Sequence, residues 1–460
     1  MKKLLLVLAA VAFVTPAFAA VQNVKVSGSL NSAYVGRDAF DFDAAGTEYN
    51  QSFFYTSTHV RIDSDLSDNV SATVGLVNET VWGSEAGVGA TTANDDIDLD
   101  LAYVTLREFL YSPLTLTIGR QNLAYGNSFL IGTYGNATAG TLGGAASDIS
   151  RTYNYDGIKA VLDYKPLTLD LVAVKANSRT LDGSSVGVGE DDQNLYGINA
   201  NYQLGDAMNT VVEAYFWARI DKGTVAGGTG IDAETLYVPG LRVSTNPVKG
   251  LTAGLEAATQ LGTDRVGAGI SKQEREDVFG LQGKLDYALP VYETYKPMVG
   301  ASYTWVTGDK NTNTVDGGPG SASQEVQSAW DPLFNDQNLG TRIWRSLFNY
   351  SNLHVAELSA SVVPMEDVTV KGIWTGLWLD KAYNGTTTPT ITLPDGTTSV
   401  TPATTDNRQL GTELDAEVSY QYTEDVKFGL NVGMFKPGDA FDGANDEVAK
   451  QAIVSVGVNF

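Results

Sequence analysis

The sequence predicts an all-β protein: a transmembrane, antiparallel, up-and-down β-barrel of about eighteen strands behind a cleaved signal peptide. Three observations carry this. Apolar and polar residues alternate with period two along most of the chain, as in strands with one face in apolar surroundings and the other in water. Short and long breaks between these stretches follow each other in strict turn. The chain opens on an export leader and ends on an aromatic residue.

The leader reads MKKLLLVLAAVAFVTPAFAA. Lys2 and Lys3 are followed by an apolar run from Leu4 to Val14, and Ala17-Phe18-Ala19 has the small-x-small form of a cleavage site. The run is too short to span a bilayer, which takes about 20 residues. Residues 1–19 are therefore read as a signal peptide and 20–460 as one barrel domain. No later apolar stretch is long enough for a membrane helix. With no Cys, an exported chain must be held by burial or by a closed hydrogen-bonded sheet. Thiolate metal sites, covalent haem and a Cys nucleophile are excluded, and no cofactor is expected. The formal charge of −24 argues against nucleic acid as a partner, because phosphates need a basic surface.

The strands can be read directly. Near the start, Val24, Val26 and Leu30 alternate with Lys25, Ser27 and Ser29. LGTELDAEVSYQY (410–422) puts Leu410, Leu414, Val418 and Tyr420 on one face and Glu413, Asp415 and Glu417 on the other. Val426, Phe428, Leu430, Val432 and Met434 form one face of the following strand, and Ala452, Val454, Val456, Val458 and Phe460 one face of the last. Short breaks fall at 65–69, 111–113, 165–166, 204–207, 246–250, 289–296, 364–367 and 423–425. Long ones fall at 38–51, 83–96, 127–152, 179–193, 221–234, 262–276, 309–352, 381–408 and 437–450, with 309–352 the longest. Outer-membrane barrels have this combination of even strand number, short periplasmic turns and long outer loops. In hydrocarbon every backbone polar group needs an internal partner, which a closed barrel supplies. A soluble sandwich also alternates, but it does not explain nine long loops on one side. The expected location is the bacterial outer membrane. Its lipid and lipopolysaccharide are expected partners, and the barrel-assembly machinery is expected to read the strand ending in Phe460.

Several stretches resemble the alginate-export family of outer-membrane barrels and its porin-like relatives: LTLTIGRQNLAYG (114–126), AWDPLF (329–334) with NLH (352–354), and LGTELDAEVSYQYTEDVKFGLNVGMFKPGDAF (410–441). The resemblance implies an eighteen-stranded monomeric barrel that passes solutes across the outer membrane, with an arginine-rich lumen in the exporter itself. This chain departs from that pattern. By alternation its lumen carries Arg61, Lys159, Arg219, Arg242, Lys284, Lys371 and Lys427, but also an excess of acids including Glu413, Asp415 and Glu417. Arg120 sits inside a matching motif, yet shares parity with Leu114, Leu116 and Ile118. It faces the lumen only if a bulge near Gly119 reverses the strand.

Rings of charge tune the selectivity of a pore, so these residues, Arg120 included, are the pore-lining candidates. The bland alternative is that they only hydrate the interior and pair with cross-strand neighbours. Trp330, Arg342 and Arg345, in the aromatic second half of the longest loop, are candidates for a constriction folded into the mouth. Among the tryptophans near outer strand ends (Trp82, Trp217, Trp305, Trp374 and Trp378), Trp217 alone has inward parity; the rest read as an interfacial girdle. The two histidines, His59 and His354, build neither a metal set nor a hydrolase, so no catalytic residue is assigned. The function expected is a passive porin for small hydrophilic solutes or ions, sugar-like solutes among them. The alternatives are a surface barrel with a plugged lumen and an exporter of an anionic polysaccharide.

Overall fold

The computed structural model describes residues 23–43, 49–83, 97–133, 148–150, 154–178, 192–221, 233–266, 271–309, 326–337, 340–382, 391, 393–394, 407–441 and 445–460. The leader, the acids Asp95, Asp96, Glu190 and Asp191, and the glycine-rich part of the longest loop lie outside the described residues.

The strands run β1 (Asn23–Asp38), β2 (Gln51–Ser67), β3 (Val70–Val81), β4 (Asp98–Leu106), β5 (Leu114–Gln121), β6 (Tyr155–Asp163), β7 (Leu167–Ser178), β8 (Asp192–Gln203) and β9 (Val211–Asp221). They continue with β10 (Glu234–Val248), β11 (Leu251–Val266), β12 (Ser271–Glu274), β13 (Val278–Ala288), β14 (Met298–Val306), β15 (Leu353–Met365), β16 (Val368–Leu379), β17 (Gln409–Gln421), β18 (Val426–Pro437) and β19 (Ala449–Asn459). Every pairing between them is antiparallel, and β1 closes the ring by pairing with both β2 and β19. β11 pairs with β13 up to Gln260 and with β12 beyond Thr263, so β12 and β13 share one place and the ring has eighteen. The break expected at 262–276 is thus largely a hairpin rising from the wall, since paired polar strands satisfy their backbones in water as well as a loop does.

Closure leaves no edge, and alternation does the rest. Outward side chains such as Leu255, Leu285, Leu358 and Leu414 are exposed, as lipid-facing residues are in an isolated barrel. Tyr420, Tyr422 and Phe428 cluster at the short-turn end, and Phe54 stacks on Trp82 at the other, giving aromatic belts at both interfaces. Phe460 extends the pairing with β1 by exchanging backbone bonds with Gly28. No helix among the described residues is long and apolar enough to cross a membrane; the strands cross it.

One expectation of facing fails at Leu410. The β16–β17 register slips between Leu377 and Trp378, opposite Gly411, whose φ of +155° suits glycine. Leu410 therefore turns away from lipid and is 2% exposed, within an interior core.

That core lies inside the barrel. Toward the long-loop end the lumen-facing positions are apolar: Val35, Val77, Leu195, Leu236, Val238, Val306 and Leu377 are all buried. Phe40, Phe42, Phe129, Ile131, Trp330, Phe334 and Trp344, from the loops, pack into this apolar collar. Each such side chain contributes roughly 1.5–3 kcal/mol on burial, enough to hold several loops inside the mouth. Toward the short turns the lumen is lined by small polar residues such as Ser302, Ser359, Thr369, Ser419 and Ser455.

Candidate functional site

The β14–β15 loop crosses the lumen, and its two ends are fixed to opposite walls. At the first wall, Asp331 receives Arg219 of β9 (Nη1 to Oδ1 3.0 Å, Nη2 to Oδ2 2.5 Å). Gln260 of β11 grips the same backbone in both directions, donating to the Asp331 carbonyl at 2.7 Å and accepting its N–H at 2.8 Å. Burial works against the charge of Asp331, yet Arg219 and Arg275 hold its carboxyl below the usual aspartate range. Trp330 stacks on Phe129 of the β5–β6 loop with centroids 5.5 Å apart, and Phe334 bridges to Ile131 of that loop.

At the opposite wall sits the one-turn helix α1 (Ile343–Leu347). A helix start leaves N–H groups without intrahelical partners, and Arg342, which precedes α1, makes no side-chain cap. Glu413 of β17 replaces the cap: its two oxygens accept the N–H groups of Ile343 and Trp344, each at 2.8 Å. Arg342 donates to Glu417 at 2.7 Å and stands 3.6 Å from Asp415. Ser346 donates to Asp148 of the β5–β6 loop, which also receives Arg37 of β1, both at 2.6 Å.

Arg61, Lys159, Arg219, Arg242, Lys371, Glu413, Asp415, Glu417 and Lys427 all share the lumen-facing rows of their strands. Most of the cations are engaged. Arg61 makes two bonds to Asp63; Lys159 meets Asp170 at 3.1 Å, where Tyr125 also donates. Arg242 meets Glu213 at 2.6 Å. Arg219 shares Glu234 and Asp331 with Arg275. Lys371 and Lys427 differ: neither has an ion pair among the described residues. Both line a cavity of about 500 Å³ beneath the loop, with Asn31, Tyr55, Asn431 and Ser455. Lys371 also borders a smaller cavity of about 180 Å³ with Lys284, Gln337 and Tyr350.

Arg120 requires a correction. Gly119 does have a positive φ of +124°, but the pairings of β5 with β4 and β6 run through it one for one. Without an inserted residue the parity holds. Arg120 stays in the outward row of Ile118 and Ile158 and pairs there with Asp156 at 2.9 Å. It does not line the pore.

Among the loop candidates, Trp330 is inside the interior core and Arg342 is at the β17 wall. Arg345, within α1, lies over the rings of Trp344 and Tyr350, donating to the Gln337 carbonyl and to Asn335. Burial pushes its guanidinium pKa down. Trp217 faces inward and packs on Tyr125. His59 joins a chain in which Ser57 donates to Glu79 at 3.0 Å and lies 3.1 Å from His59, itself 3.5 Å from Asp100. Ser150 donates to the same Glu79 at 2.5 Å, so the chain ties the β5–β6 loop to the wall. Sequence reading missed Arg37, Asp148, Gln260 and Arg275. Arg37 was accessible through the parity of β1; Asp148 and Gln260 act through contacts more than seventy residues away in the chain, and Arg275 through contacts up to 56 residues away.

Residues 24–455 match the model of the family described as alginate export. Among solved structures, the chain is similar to OccK8 (OprE) of Pseudomonas aeruginosa, with 14% identity over 96% of this chain and 99% of that one and a TM-score of 0.57. A BenF-like porin from Pseudomonas fluorescens Pf-5 gives 13% over 96% and 100%, at 0.57. Pseudomonas aeruginosa OccK2 (OpdF), solved in complex with glucuronate, gives 14% over 96% and 99%, at 0.56. No curated protein matches the chain. At these identities the likeness is one of fold, while the family match spans nearly all of the chain: it belongs to the alginate export family and is an outer-membrane β-barrel of porin architecture.

Proposed function

We propose that the protein is a passive, non-enzymatic channel for small hydrophilic solutes, and that acidic sugars are the class it favours. The observation carrying this is the cavity beneath the loop, where Lys371 and Lys427 present ammonium groups without ion pairs among Asn31, Asn431, Ser455 and Thr369. Paired arginines and acids elsewhere in the lumen cancel one another locally; Lys371 and Lys427, with no ion pair among the described residues, can meet a solute carboxylate, with amides and hydroxyls beside them for ring hydroxyls. The glucuronate bound in the OccK2 structure supports the same class. Glu417, opposite Lys371, sets a limit on the negative charge that passes, which disfavours a long polyanion.

Outer-membrane lipid and lipopolysaccharide surround the barrel in this reading. The terminal Phe460, paired with β1 at the closing seam, supports insertion by the barrel-assembly machinery. The second reading, a surface barrel with a plugged lumen, draws on the interior core at the long-loop end. Swelling of liposomes carrying the purified barrel separates the two. Glucuronate is expected to enter faster than glucose, and Lys371→Glu with Lys427→Glu to remove that preference. No swelling with any sugar, together with no ion conductance, would sink the channel reading and leave the plugged barrel.

A further inference from the structure

We propose that Glu413, Asp415 and Glu417 form, with Arg342, a proton-operated latch on the pore loop that holds it shut in acid and releases it as the pH rises. The proposal rests on the channel reading above. The three acids occupy successive lumen-facing rungs of β17. Glu413 is wholly buried, and both its oxygens are taken by the first N–H groups of α1. The Asp415 side chain is 1% exposed, and neither of its oxygens accepts a hydrogen bond from an N–H or hydroxyl among the described residues. Its one ion-pair contact among the described residues is Arg342, whose Nε is itself buried without an acceptor and whose Nη1 is committed to Glu417.

Among the described residues no further cation pairs with Asp415. On β16, Thr375 stands opposite Glu413, Ile373 opposite Asp415 and Lys371 opposite Glu417, next to the larger cavity. On β18 the same rungs face Phe435, Gly433 and Asn431, and Lys427 lies farther down, opposite Gln421. On β15, Glu357 stands opposite Thr375 and adds a fourth acid to the neighbourhood. On the loop side the contacts are Ile343, Trp344 and Arg342. Asp415 and Glu417 thus share one guanidinium, and Asp415 and Glu413 lie side by side where water is excluded, while Glu417 borders the cavity. Thr375 Oγ1 and Asn431 Oδ1, beside them, are also buried without a partner.

Two neighbouring carboxylates in such a place do not both stay ionised; a proton on one of them removes the repulsion. The seated loop therefore binds a proton more tightly than the released loop, in which the acids are rehydrated. Seating is favoured at low pH and is lost as the pH rises through the range where the buried pair ionises. Because α1 is one of the two ends holding the loop across the lumen, its release widens the path from that side.

The test is ion conductance of the purified full-length barrel in planar bilayers between about pH 5 and pH 8, a tenfold change corresponding to about 1.4 kcal/mol. The wild type is expected to open at least tenfold more often at the upper end. Asp415→Asn, neutral throughout, is expected to stay shut across the range, and Arg342→Gln to open at lower pH than the wild type. Hydrogen exchange of Ile343 and Trp344 in the unmutated protein, corrected for the intrinsic pH dependence of exchange, is expected to accelerate over the same range. A wild type that conducts equally at every pH, or an Asp415→Asn variant with the wild-type profile, overturns the latch and leaves the channel. Silence of both the wild type and Arg342→Gln at every pH overturns the channel reading and the latch with it.

Discussion

Arg219 of β9 and Asp331 of the β14–β15 loop face each other through two bonds, at 3.0 and 2.5 Å, with the Asp331 backbone held by Gln260 on the next wall strand but one. This fixes the first end of the loop, as the β17 acids hold the second, by a different chemistry. Removing one partner of a buried pair leaves the other charge stranded, at a typical cost of about 3–5 kcal/mol. Glu234 at 2.8 Å from Arg219 and Arg275 at 3.8 Å from Asp331 soften the loss. Arg219→Gln and Asp331→Asn are each expected to loosen the loop by about 3 kcal/mol and the double variant by less than their sum. Protection of residues 330–334 against hydrogen exchange measures all three.

The two ends should answer pH oppositely. The folded-state pKa of Asp331 lies below the ordinary aspartate value of 3.8, so its anchor contributes fully above that value. It weakens only as the pH falls through the lower folded-state value. Exchange at residues 330–334 is expected to stay flat from neutrality down to about pH 4, while that at residues 343–344 changes. Loosening of the Asp331 end near pH 6 would refute this assignment of its charge.

Trp330 is 1% exposed and stacked on Phe129. Trp330→Ala is expected to cost about 3–5 kcal/mol of loop seating and to raise the mean conductance. The barrel's heat-resistant mobility on gels should not change, because ring closure through β1 and β19 does not involve this side chain. A variant that loses the folded mobility would mean that the plug supports the wall.

Arg120 and Lys371 offer a paired test of facing. Arg120 lies in the outward row with Asp156, so Arg120→Gln should leave reversal potentials across a salt gradient unchanged. Lys371 lines both cavities, so Lys371→Glu should shift the reversal potential several millivolts or more toward cation preference, since a charge beside a narrow path acts directly on the passing ion. The opposite pattern would mean that the parity of β5 or of β16 is inverted.

The barrel was legible because its physics is periodic. A strand in a membrane wall has only two sides, and closing the ring requires each segment to pair with its neighbours, so alternation and break length locate almost every strand. The same parity places Glu413, Asp415, Glu417 and Trp217 on the inner face. It misleads where one residue breaks the count. The slip opposite Gly411 turns Leu410 inward, and Gly119, though its φ is positive, causes no slip at all.

The lumen was less legible than its wall. An apolar residue next to a charged one is ordinarily read as the lipid side, yet Val35, Leu236, Val238 and Val306 are apolar residues of the inner face, matched to loop aromatics far away in sequence. Which cations are paired depends on those loops as well. Arg342 belongs with Glu417 only because α1 is carried across the barrel, and Lys371 and Lys427 have no ion pair among the described residues.

The sequence by itself determined the number of strands, their two faces and the side on which the long loops lie, because these follow from local alternation and from the demand that every backbone group in hydrocarbon be paired. Only the tertiary structure decided that the loops fill the mouth, that three acids of β17 hold α1, and that Arg120 faces outward. Those outcomes turn on long-range contacts and on single-residue slips in register, and neither leaves a period in the chain.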